Sequence, residues 1–77
     1  MEIKQFYIYK LKNDSTVIVV QNNMANQQSD LVVVILCEDG RFKTVDTVNK
    51  ECFIEEVGKI TEEEIKSAKE FYQSVIM

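Results

Sequence analysis

Two runs dense in β-branched residues, Val17 to Val20 and Leu31 to Cys37, stand on either side of a polar stretch from Asn22 to Asp30. Neither run alternates with polar residues, and each is short, so both read as strands covered on two faces. The stretch between them has no glycine or proline. Asn22, Asn23 and Asn26 can hold such a loop by hydrogen-bonding their own backbone. Upstream, Ile3 to Lys12 sets Phe6, Ile8 and Lys10 against Tyr7, Tyr9 and Leu11. Both sets are largely apolar, which predicts another strand covered on much of both faces. Asn13-Asp14 offers a tight turn after it, with the turn type left open.

Asp39-Gly40 between the second apolar run and Phe42-Lys43-Thr44-Val45 is the clearest hairpin signal, and it fixes an antiparallel pair. Cys52 to Val57 fits a short last strand or a helical turn. From Thr61 a helix is predicted to residue 76. Thr61 and Glu64 have capping-box spacing, and Glu62, Glu63 and Glu64 suit the positive end of the helix dipole. Ile65, Ala68, Tyr72 and Val75 recur at helical spacing, widened by Phe71 and Ile76. So small a sheet needs a lid, so the stripe is expected to pack on it rather than stand free for a partner. Strands followed by one terminal helix predict a single mainly β domain over residues 1–77, a small antiparallel barrel. A βαβ plan is disfavoured because no helix separates the strands.

Composition narrows the function. With 77 residues the chain is near the lower limit for an autonomous core, and 45% hydrophobic residues argue against disorder. Residues 1–50 are neutral, with six basic and six acidic side chains, whereas residues 51–77 carry three lysines against seven glutamates. A basic footprint for nucleic acid is therefore missing, which weakens RNA binding. No apolar run approaches a membrane span and no signal peptide precedes the first strand, so a cytoplasmic protein is expected. Cys37 and Cys52 sit in apolar runs and read as buried thiols rather than a disulfide. With no histidine, Cys-x-x-Cys or glycine-rich phosphate loop, neither metal nor cofactor is expected.

The remaining chemistry is sparse. Glu38 and Asp39 read as turn formers, with a carboxylate acting beside Asp46 as the sharper alternative. Arg41 is the sole arginine. Tyr7 and Tyr9 share a face and read as packing residues rather than a base-stacking platform.

The chain resembles the PemK/MazF family, the toxin halves of type II toxin–antitoxin pairs. Thr16-Val17-Ile18-Val19-Val20-Gln21-Asn22-Asn23 matches the family's R-P-V-L-V-I-Q-N-D run. Asn26 and Ser29 match its loop, and Val32-Val33-Val34 its next strand. Val45 to Phe53 follows the I-R-T-I-D-K-x-R-L segment, and Val57-Gly58-Lys59-Ile60 the I-G-K-L step, in the same order. The resemblance implies an SH3-like barrel with a C-terminal helix, a homodimer, an antitoxin-like protein partner and metal-independent endoribonuclease activity. The departures fall on the active residues. The family's catalytic arginine falls on Ser15, and its catalytic threonine on Glu38, or on Cys37 with a one-residue slip. Two further arginines fall on Asp46 and Cys52, and the long first loop shrinks to a few residues around Asn13 and Asp14. Serine has no fixed charge, and carboxylates repel phosphate. The expectation is a toxin-like scaffold without catalysis, acting through protein binding. An active endoribonuclease with a displaced site at Arg41, Lys43 and Asp46, and an unrelated small-barrel interaction or regulatory module, stay open as alternatives. A basic rim joining Lys10, Lys12, Arg41 and Lys43 would favour the displaced site.

Overall fold

Four valines and isoleucines in succession need apolar cover on both sides, and the fold provides it by placing their strand in the middle of the sheet. A computed structural model describes residues 2–22 and 30–76, the side chains of residues 22 and 76 excepted. The elements are β1 (Tyr7–Leu11), β2 (Thr16–Asn22), β3 (Asp30–Leu36), β4 (Phe42–Asn49), a 3₁₀ turn (Lys50–Cys52), β5 (Phe53–Lys59) and helix α1 (Glu62–Ile76). All pairings are antiparallel, in the order β4-β3-β2-β1-β5. The mainly β class with a C-terminal helix is as the sequence predicts. The barrel is not closed, because β4 and β5 remain edges of one sheet.

Two apolar layers lie on the two faces. Tyr9, Leu11, Val17, Val19, Leu31, Val33 and Phe53 form one, capped by Ile3 from the N-terminal segment. Ile18, Val20, Val34, Ile60 and Ala68 form the other, with Ile65, Phe71 and Tyr72 of α1 packed against it. Consecutive β2 residues thus serve opposite layers, as a period of two requires. Each such side chain stabilises the fold by roughly 1.5–3 kcal/mol when fully buried. Among the described residues no polar or charged residue is buried.

The helix begins as its capping box predicts: Glu64 N–H donates to Thr61 Oγ1 at 3.2 Å and Thr61 N–H donates to Glu64 Oε1 at 3.1 Å. Its stripe is narrower than expected. Ala68 is fully buried, but Val75 is 47% exposed.

Other expectations need correction. The first strand starts at Tyr7 rather than Ile3, because Phe6 adopts a left-handed φ of 63°. That turn lets the Phe6 N–H donate to the Val19 carbonyl (2.7 Å) and its carbonyl accept from Ile60 N–H (3.2 Å). The ambiguous segment around Cys52 is both things at once, a helical turn and then a strand. Cys37 and Cys52 are free thiols but only half-buried. The loop expected to match Asn23, Asn26 and Ser29 lies outside the described residues.

Candidate functional site

The β1–β2 hairpin loop, the first, and the β3–β4 hairpin loop, the second, are built alike. In the second, Gly40 N–H donates to the Cys37 carbonyl (2.9 Å) and Cys37 N–H to the Arg41 carbonyl (2.7 Å). Gly40 takes the left-handed conformation, with φ 90°. This is a three-residue loop closed by a glycine bulge. In the first, Asp14 N–H donates to the Leu11 carbonyl (3.0 Å), Leu11 N–H to the Ser15 carbonyl (2.9 Å), and Asp14 has φ 70°. The side chains repeat as well. Asn13 Oδ1 accepts from Ser15 N–H (3.0 Å) and Asp39 Oδ1 from Arg41 N–H (3.1 Å).

Pairing of Thr16 with Leu36 sets these loops side by side at one end of the sheet. Between them lies a cleft of ≈ 440 Å³, with Ser15 and Asp14 on one wall and Cys37, Glu38 and Lys43 on the other. The structure therefore brings Ser15, Glu38 and Lys43 to one place. Two carboxylates and one ammonium line the cleft.

The other sequence candidates lie elsewhere. Arg41 Nε donates to Asp39 Oδ2 at 2.6 Å, and both side chains are largely exposed. Arg41 lines a separate cleft against Phe42, Glu63 and Glu64 at the start of α1. Asp46 is exposed on β4 opposite Val33, and its Oδ1 accepts from Thr47 N–H at 2.7 Å. Lys10 pairs across strands with Glu55, and Lys12 lines a third cleft. The four cations of the conceived basic rim are thus distributed rather than gathered.

Tyr9 combines a buried ring with a hydroxyl among charged neighbours. Its ring is fully buried against Phe53, centroids 5.3 Å apart and edge to face. Its hydroxyl accepts from Lys4 N–H (2.8 Å) and lies 3.3 Å from Glu56 Oε1, which Lys4 Nζ also approaches at 3.6 Å. Burial raises its pKa above the ordinary 10.0, and the Glu56 carboxylate adds to that, against the opposing Lys4 contacts. The cluster fastens the N-terminal segment over the sheet, a packing role as the sequence suggests.

Periodicity missed one feature. Edge strand β5 is bulged twice, where Phe53 and Glu55 oppose Leu11 and Lys10, and where Glu56 and Gly58 oppose Tyr9 and Ile8. Ile54 and Val57 are the residues left over, and they are 53% and 56% exposed. Glu51, Glu55 and Glu56 are exposed around them, with no cation between residues 51 and 58. The sequence signal was present as Ile54 and Val57 flanking two glutamates, but only the bulges turn both aliphatic side chains outward.

Among the described residues no helix is long and apolar enough to cross a membrane. Searches against protein-family models, curated proteins and solved structures find no match.

Proposed function

We propose that this chain is a shortened PemK/MazF-like protein that does not cut RNA and acts by binding another protein. The observation that carries this reading is the cleft shared by Ser15 and Glu38, the positions where the resemblance calls for a catalytic arginine and threonine. An arginine there would grip a phosphate with two parallel hydrogen bonds and stabilise charge developing on it. Serine supplies neither. Glu38 and Asp14 place negative charge where the phosphodiester would sit, and the single ammonium of Lys43 does not outweigh them.

Protein binding is favoured by the β5 edge. Two exposed aliphatic side chains on an open strand edge, with three glutamates around them of which Lys4 and Lys10 face two, suit an extended segment whose apolar residues alternate with lysine or arginine. The homodimer and the antitoxin-like partner belong to the same proposal, and sedimentation equilibrium reads the first.

Two measurements test the reading. Incubation with mixed-sequence single-stranded RNA in the absence of metal is expected to leave the RNA intact. Specific cleavage that Arg41→Ala abolishes would instead establish a displaced active site. A fluorescent peptide alternating lysine and valine is expected to bind, to weaken as salt rises, and to be released by Val57→Asp. A peptide alternating glutamate and valine that bound equally well would sink the docking assignment while leaving the RNA result standing.

A further inference from the structure

The curled sheet has a second opening, on the other side of the β1–β2 loop. There Leu11, Lys12 and Asn13, the end of β4 at Thr47–Asn49, and Cys52 enclose a cleft of ≈ 300 Å³. That volume falls at the lower end of the range for small-molecule sites, roughly 300–1,000 Å³. Its floor is the protein core itself. Leu11 is buried in the inner apolar layer and Val48 packs against the same layer. A hydrogen bond from Lys12 N–H to the Cys52 carbonyl, 2.9 Å long, ties the hairpin to the 3₁₀ turn and holds the mouth in shape.

The polar groups at this mouth have one bias. Among the described residues no carboxylate lines it, although the chain has 13 acidic residues against nine basic ones. Among the described residues Lys12 is its only cationic lining residue, and no carboxylate pairs with its ammonium. Asn13 is oriented by its Oδ1, which accepts from Ser15 N–H. Its amide N–H₂ has no acceptor among the described residues. Asn49 is already committed, accepting from Glu51 N–H (2.9 Å) and donating to Asp30 Oδ1 (3.3 Å). The site thus offers an apolar floor with the exposed Lys12 ammonium and Asn13 amide beside it, the first of them charged.

We propose that this cleft binds small monocarboxylates with an apolar body. The carboxylate is received by Lys12 and the Asn13 amide, and the hydrocarbon lies on Leu11 and Val48. This inference stands independently of the PemK/MazF-like reading and of the β5 edge.

The two thiols make the test internally controlled. Cys52 lines this cleft, Cys37 lines the one between the hairpins, and both are free and half-buried. Alkylation by iodoacetamide, read at each cysteine by peptide mass spectrometry, is compared with hexanoate, hexanol and hexylamine present. Hexanoate is expected to slow Cys52 severalfold and leave Cys37 unchanged, with hexanol weaker and hexylamine inert. Lys12→Met is expected to reduce hexanoate affinity by about tenfold, the loss of one charge-assisted contact. Lys12 is exposed, so this variant is expected to melt like the parent. Calorimetric titration with hexanoate reads the same binding without relying on thiol reactivity. Three results would overturn the proposal: no binding of hexanoate, equal protection of both cysteines, or an affinity unmoved by Lys12→Met.

Discussion

Asp14 stands in the first hairpin where Gly40 stands in the second, and both have left-handed φ, 70° and 90°. A side chain at such a position crowds the backbone, although the short polar side chain of aspartate tolerates it better than most. Asp14→Gly should therefore raise stability by about 1 kcal/mol, offset in part by the freedom glycine gains in the unfolded chain. The measurement is the urea midpoint at unchanged slope; a fall would mean that the Asp14 carboxylate contributes more than its backbone costs. Tyr9 permits a second test at this scale. Its pKa is raised on folding, so the neutral phenol is the form the fold favours. Its contribution is complete below the unfolded value near 10 and declines as pH rises from there through the folded value. Tyr9→Phe should cost about 1 kcal/mol at neutral pH through lost hydrogen bonds, and the gap from the parent should narrow above pH 10. A constant gap across that range would show that ionisation of Tyr9 is not linked to folding.

At the scale of elements, legibility followed local chemistry. The runs around Val17 and Val33 could only be buried strands, Asp39-Gly40 marked a turn that needs a left-handed residue, and Thr61 with Glu64 marked a helix start. Thr61→Ala removes the acceptor for Glu64 N–H and should destabilise by about 1 kcal/mol, shifting the melting temperature by several degrees. Thr61→Ser should restore most of that loss, since serine caps equally well. Elements defined by distant partners were less legible. Nothing near Phe6 announces its left-handed turn, which is held by bonds to Val19 and Ile60. β4 extends to Asn49 because β3 supplies a partner as far as Asp30, although Thr44, Asp46 and Thr47 are exposed. The bulges of β5 break its period and concealed its exposed aliphatics. Likewise Ser15 and Glu38 are 23 positions apart and share a cleft only through the pairing of Thr16 with Leu36. The resemblance could single out each residue, but not show that carboxylates from both loops meet there.

For the molecule as a whole, the decisive question is what α1 covers. One sheet face is closed by its own curl, with Ile3 and Phe53 over it. The other is covered mainly by the helix, through Ile65, Ala68, Phe71 and Tyr72, with Ile60 and Phe6 beside it and the Phe42 and Phe71 rings 5.2 Å apart. A domain of this size has little surplus core. Ending the chain after Ile60 would uncover Ile18, Val20 and Val34 together, and each side chain returned to water costs roughly 1.5–3 kcal/mol. That sum is comparable with the entire stability of such a domain, so the truncated chain should lose cooperative thermal unfolding and bind a hydrophobic dye. Ala68→Asp in the full chain gives the same answer by another route, because it places a carboxylate at a fully buried contact on the sheet. If the truncated chain instead melted cooperatively near the parent temperature, α1 would be a partner-binding stripe resting on a self-sufficient sheet. The uncovered face, rather than the β5 edge, would then be the larger docking surface.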